Sequence, residues 1–343
     1  MDELRPAGIE RPAALRAYLD AAGLGCGELR IAALGDGHSN LTYRLDRDDV
    51  SLVLRRPPLP PYPASAHDVV REARIQARLA DTAVAVPAIL AICEDEAVLG
   101  APFFVAGYLE GTVIDDVTPA HLEAERAAVA ARLVDSLIAL HSLDLAAAGL
   151  AGFGRGAGYL GRQVSRFGRL RQQYASRGVP ELDRLGDLVA AALPAAEPPA
   201  FVHGDFRLGN VMLAPRAPAA VRAVLDWEMA TVGEPLADLG WLAALWAGPG
   251  DPAGLRKLSG ATAEPGYPGR AELIEAYFAA ARRPPVDLSW HMGFAVWKLC
   301  VIMEGNYLRA RNGLSEDAFA LEYGADIAEL AAYGERLARG GAG

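Results

Sequence analysis

Phe201-Val202-His203-Gly204-Asp205-Phe206-Arg207-Leu208-Gly209-Asn210-Val211-Met212-Leu213 is the most informative stretch of this chain. The apolar residues at its two ends read as short buried runs, and the polar middle reads as a loop held between them. Asp205 and Asn210 stand five positions apart in that loop. Sixteen positions after Asn210 comes Val224-Leu225-Asp226-Trp227-Glu228, an acid directly behind a strand-like run. A lone Asp or Asn in a loop is ordinarily a turn former. An Asp, an Asn and a second Asp in this order and spacing form a set.

Phosphoryl transfer needs residues of these types. One carboxylate orients the attacking hydroxyl and receives its proton, and further oxygen ligands hold magnesium against the phosphates. The Asp-x4-Asn spacing of Asp205 and Asn210 equals that of the protein-kinase catalytic loop. The rest of the chain sets the frame. Its 343 residues are 52% hydrophobic and 22% charged, which suits a two-lobed enzyme with a real core. A formal net charge of -10 makes it a poor general binder of nucleic acid or anionic membrane. Cys26, Cys93 and Cys300 are scattered, so neither a disulfide framework nor a zinc site is indicated. The N-terminus lacks an apolar signal region and no stretch is long and apolar enough to span a bilayer, so a cytoplasmic protein is expected. No Gly-x4-Gly-Lys-Ser/Thr and no Gly-x-Ser-x-Gly occurs, which excludes a P-loop enzyme and a serine-hydrolase elbow.

Along the chain, a short helix is expected from Arg11 to Ala22. Strands follow at 28–34, 41–45 and 51–55, with the turn-forming Gly35–Asn40 between the first two. A helix is expected over 66–79, then strands at 89–94 and 102–108. From about 120 onward the pattern is mainly helical, with a long Ala/Leu helix over 122–141 and further helices over 162–177 and 181–193. Trp290, His291, Phe294, Trp297 and Lys298 form a helical stripe that reads as core or as the wall of an acceptor pocket. This gives an α+β chain of two lobes. A small β-rich lobe spans residues 1–110, and a larger, mainly helical lobe spans 111–343, with the hinge at Leu109–Gly111.

The motifs together resemble the aminoglycoside phosphotransferase (choline-kinase-like) family. The resemblance rests on His203 to Asn210, on Leu225-Asp226-Trp227-Glu228 and on Gly233-Glu234-Pro235-Leu236-Ala237-Asp238-Leu239. It extends to Ser39-Asn40-Leu41-Thr42-Tyr43 and Val53-Leu54-Arg55-Arg56-Pro57-Pro58. Within the family, the likeness is to the branch found as the kinase-like domain of acyl-CoA dehydrogenase fusion proteins. It covers residues from about 30 to about 310 and implies a protein-kinase-like two-lobed fold with ATP and Mg2+ as cofactors.

By that resemblance Asp205 is the catalytic base, and Asn210 and Asp226 are the magnesium ligands. His203 braces the loop, and Asp238 ties loop and helix ends together. Ser39 and Asn40 belong to the loop over the phosphates, and Gly107 and Leu109 offer backbone groups to adenine. Kinases place a lysine on the third strand, but the first lysine here is Lys257, so Arg55 takes that position with Glu72 as its partner. Glu228 is expected either at substrate or metal water, or in solvent. Arg207, with Arg162, Arg166 and Arg169, points to an anionic small-molecule acceptor with a hydroxyl group, of which a hydroxyacyl-CoA is one class. The alternatives are an antibiotic kinase, whose cationic drugs call for an acidic pocket, and a regulator that binds nucleotide without catalysis.

Overall fold

The computed structural model describes residues 8–35, 40–59, 68–174, 177–314 and 318–340. The chain divides into two units, Met1–Glu110 with Leu225–Glu228, and Gly111–Val224 with Met229–Gly343. The four residues 225–228 group with the first unit, which a linear division at residue 110 does not anticipate.

In the first unit the alternation of Ser51–Arg56 decides the layering. Leu52, Leu54 and Arg56 are buried and Ser51, Val53 and Arg55 are half-buried, so one strand sends leucines to one face and Arg55 to the other. This strand is β3 of an antiparallel sheet made with β1 (Arg30–Ala33), β2 (Leu41–Asp46), β4 (Ile89–Cys93) and β5 (Phe103–Gly107), in the order β1-β2-β3-β5-β4. On the leucine face, Leu45, Leu52, Leu54 and Phe103 pack with Leu15 and Leu19 of α1 (Pro12–Ala21). On the other face, Phe104 and Ala106 pack with Val69 and Ala73 of α2 (Val69–Leu79). The Asp68 side chain caps α2 by accepting the Arg71 N–H at 2.9 Å. A single turn, α3 (Glu96–Leu99), joins β4 to β5.

The second unit holds the remaining elements. Two small sheets flank the polar loop of the opening stretch. One pairs β7 (Ala200–Val202) with β10 (Thr231–Gly233), and the other orders β6 (Thr112–Val113), β8 (Val211–Leu213) and β9 (Val221–Val224) as β6-β8-β9. The loop therefore leaves one sheet at Val202 and enters another at Val211. The helices are α4 (Arg126–His141), α5 (Tyr159–Gln173), α6 (Pro180–Ala191), α7 (Pro235–Leu245), α8 (Ala253–Ser259), α9 (Arg270–Ala280), α10 (Ser289–Arg311), α11 (Ala318–Tyr323) and α12 (Ile327–Ala338). Phe294, Val296, Trp297, Cys300 and Val301 of α10 are buried among residues of α5, α6, α7 and α12. Among the described residues, no helix is long and apolar enough to cross a membrane.

Expected helix bounds shift, the helix over 162–177 to Tyr159–Gln173 for one. The helix expected from Leu122 begins instead at Arg126, because Ala120–Glu125 winds as a tighter 3-10 turn that leaves Leu122 fully buried. The two- and three-residue strands β6, β8 and β10 are too short to leave a periodic signal.

Leu54 has no exposed surface, and its removal leaves a cavity between the sheet and α1. Leu54→Ala is expected to lower the denaturant-unfolding free energy by about 2–5 kcal/mol.

Candidate active site

In the second unit the loop 203–210 is built around a buried carboxylate. Asp238, in the first turn of α7, is 1% exposed. Its Oδ2 accepts the backbone N–H of His203 at 2.6 Å and its Oδ1 that of Gly204 at 2.8 Å. His141 Nε2 lies 3.4 Å from Oδ2, and Tyr277 Oη is 2.8 Å from His141 Nδ1. Burial alone would raise the pKa of Asp238, but the hydrogen bond and charge of His141, then the interactions with His203, hold it below the ordinary carboxylate value. His203 Nδ1 in turn accepts the Asp205 N–H at 3.2 Å, and its ring meets Phe206 edge-on. Gly204 adopts φ +84, and a Cβ there would sit 2.8 Å from the Met229 carbonyl oxygen, so only glycine fits.

Both oxygens of Asp205 are held. Trp241 Nε1 donates to Oδ1 at 2.7 Å, and Asn210 Nδ2 donates to Oδ2 at 2.9 Å and to the Asp205 carbonyl at 2.8 Å. The Asn210 amide nitrogen is thus spent on Asp205, and Oδ1 is the atom of Asn210 with ligand chemistry for a cation. Arg207, at the head of the 3-10 turn Leu208–Asn210, lies 3.7 Å from Asp115. The Arg162 guanidinium donates to the carbonyls of Arg155 and Ala157, while Arg166 and Arg169 are exposed.

In the first unit Arg55 is the centre. Its Nη2 is 2.6 Å from Asp226 Oδ1, and its Nε is 3.1 Å from Glu72 Oε2. The second approach is an ion pair without hydrogen-bond alignment. Glu228 accepts the Asn40 amide at 3.1 Å, which places it with the residue that opens β2. Asn40 Oδ1 is buried with no hydrogen-bond partner among the described residues. Asp226 has φ 64, a left-handed conformation seen among the described non-glycine residues only here and at Arg282.

One guanidinium therefore faces three carboxylates. Burial opposes the Arg55 charge, but Glu72, Asp226 and Glu228 raise its pKa above the ordinary guanidinium value. Glu72, 1% exposed, is pushed up to about 7 by burial, which outweighs the attraction of Arg55, with Asp226 and Glu228 adding to the rise. Among the described residues no three acidic, histidine or cysteine side chains converge as a metal cluster, so a hard divalent cation here would rest on Asp226 and on ligands from outside this carboxylate group. Magnesium characteristically takes one or two carboxylates and completes its shell with phosphate and water.

The remaining expected residues are placed as follows. The Gly107 N–H donates to Ala88 O at 2.9 Å inside the sheet, so that donor is already in use, and Leu109 is half-buried beyond the end of β5. Ser39 lies outside the described residues. The sequence reading missed Trp241, although it follows Asp238 by three positions on α7 and so shares its helix face. It also left Lys298 as part of a core stripe.

Comparison with known proteins gives the family and the fold. The model of the phosphotransferase enzyme family matches residues 30–273. Mouse acyl-CoA dehydrogenase family member 10 is 33% identical over 311 residues, covering 89% of this chain and 29% of that protein, so the chain spans less than a third of that relative. A Ralstonia eutropha protein provisionally described as an aminoglycoside phosphotransferase superposes with a TM-score of 0.81 at 29% identity, covering 97% of this chain and 99% of the other. A thermostable variant of aminoglycoside phosphotransferase APH(4)-Ia, solved with AMP-PNP and hygromycin B, gives a TM-score of 0.61 at 18% identity, covering 96% and 98%, and shows the shared kinase-like two-lobed fold.

The raised pKa of Glu72 makes a signed prediction. Its contribution to stability is fully present below the unfolded value near 4.5 and is lost as pH rises through about 7. The unfolding free energy of the wild type minus that of Glu72→Gln is expected to fall by about 3 kcal/mol between pH 4.5 and 8, measured by urea unfolding without added metal. A difference independent of pH would contradict it.

Proposed function

The chain belongs to the phosphotransferase enzyme family, and from that premise we propose that it moves the γ-phosphate of magnesium-bound ATP to a hydroxyl group of a small anionic molecule, a hydroxyacyl-CoA being the favoured class. The observation that carries the reading is the Asp205 carboxylate, gripped at Oδ1 by Trp241 and at Oδ2 by Asn210. A carboxylate fixed in this way suits orienting an acceptor hydroxyl and taking its proton as the oxygen attacks phosphorus.

The other roles follow from what each side chain can offer. Asn210, through Oδ1, and Asp226 are the magnesium ligands, and when bound the ion supplies neutralisation of phosphate charge. Arg55 contacts phosphate in place of a lysine, and its planar fork is kept in register by Glu72. Asn40 belongs to the segment over the phosphates, with Glu228 steadying it. Gly107, through its carbonyl, and Leu109 offer backbone groups to adenine, the Gly107 N–H being engaged by the Ala88 carbonyl. His203 and Asp238 hold the loop in place. Use of ATP is supported by the relative of like fold solved with AMP-PNP.

The anionic acceptor is supported by the charge of Arg207, Arg166 and Arg169 in the second unit. The CoA class is supported by the acyl-CoA dehydrogenase relative, of which this chain matches only one part. Incubation with magnesium-ATP and a panel of hydroxyacyl-CoA thioesters, aminoglycosides, choline and sugars tests both levels. Phosphate is expected on a hydroxyacyl-CoA, read by mass spectrometry, and not on the cationic drugs. Phosphorylation of aminoglycosides alone would overturn the acceptor class, and transfer to no acceptor together with intact ATP binding would overturn the kinase reading.

A further inference from the structure

Lys298 is one of only two lysines in the chain and is 5% exposed on α10. Burying an ammonium group is costly unless its surroundings return the lost hydration. Here Nζ donates to the Gly204 carbonyl at 2.5 Å and lies 4.2 Å from the centroid of the Trp241 ring. Burial pushes its pKa down to about 8, opposed by Asp205 and Asp238, with exposed Arg166 lowering it further. These contacts bear on one residue. Gly204 immediately precedes Asp205, and Trp241 is the residue whose indole N–H donates to Asp205 Oδ1. A cation on the face of an indole draws electron density towards itself and makes the ring N–H a stronger donor. With its N–H taken by Asp238 and its carbonyl by Lys298, Gly204 is pinned at both polar groups.

We propose that Lys298 is a positioning residue for Asp205, acting through the Trp241 indole and the Gly204 carbonyl, so that Oδ2, which also accepts from Asn210, is aimed to take the acceptor's proton through its second lone pair. The proposal rests on the reading of Asp205 as the base. The hydroxyl O–H bond breaks, its proton passes to Oδ2, and the oxygen bonds to phosphorus as the bond from the γ-phosphorus to the ADP oxygen breaks.

The test has two arms. In the first, the indole N–H signals of the five tryptophans are recorded by NMR, with Trp241→Phe identifying the Trp241 signal. Lys298→Met is expected to move that signal upfield, towards a weaker hydrogen bond. In the second, phosphate release from magnesium-ATP is measured with water as acceptor. Lys298→Met is expected to lower kcat by about 10- to 100-fold, with KM for ATP within about twofold. Its melting temperature is expected to be unchanged or higher, because an apolar side chain replaces a buried charge. Trp241→Phe should give a similar kcat loss, and the double variant no further loss. An unmoved indole signal, an unchanged kcat, or additive losses would overturn the proposal. If the wild type releases no phosphate, the kinase reading fails, and the indole shift alone decides the coupling of Lys298 to Asp205. If Lys298→Met does not fold, Lys298→Gln replaces it in both arms, with the same expected and overturning outcomes.

Discussion

The Asp238 carboxylate accepts two consecutive backbone N–H groups, from His203 and Gly204, in a site with almost no solvent. These donors belong to a loop that leaves one two-stranded sheet and enters a three-stranded one, so no regular ladder can satisfy them. Unpaired, they would cost about 1–3 kcal/mol each. The bidentate bond removes that penalty and fixes the peptide planes that precede Asp205. His141, backed by Tyr277, keeps the buried carboxylate ionised. The direction of the Asp205 side chain, and with it the grip of Asn210 and Trp241, follows from this clamp.

The two units solve different electrostatic problems. In the second, each charge has compensation close by: Asp238 has two N–H donors and a histidine, Asp205 has an indole and an amide, and Lys298 has a carbonyl and a π face. In the first, Arg55 is outnumbered by Glu72, Asp226 and Glu228. Burial, with Asp226 and Glu228 adding to it, raises the pKa of Glu72, and Asp226 meets Arg55 from a left-handed backbone conformation.

What the sequence revealed divides along the same physical lines. Asp205, Asn210 and Asp226 were legible because their spacing is local and their residue types match one chemistry. Arg55 was legible because no lysine precedes residue 257, and β3 then puts it on the α2 face by simple alternation. Trp241 was not, since an indole on an apolar helix has the same sequence signature whether it packs or donates to a carboxylate. Lys298 sits among aromatic residues at helical spacing, a stripe that reads as core or as the wall of an acceptor pocket; it is buried, and its contact with Gly204 is a tertiary fact. The adenine role of Gly107 comes from the family resemblance, and that its N–H goes to Ala88 is visible only in the fold. Arg207 was assigned to an anionic acceptor on charge alone, and its pairing with Asp115 appears only in the fold.

The central claim is that Asp205 acts as a base on a loop whose shape it does not itself maintain. The most direct measurement is the rate of γ-phosphate transfer by Asp205→Asn, alongside its affinity for magnesium-ATP. Asparagine keeps an oxygen for Trp241 but cannot take a proton. The account predicts a rate lower by about 10²- to 10⁴-fold with nucleotide affinity essentially unchanged. Transfer surviving at near wild-type rate would contradict it.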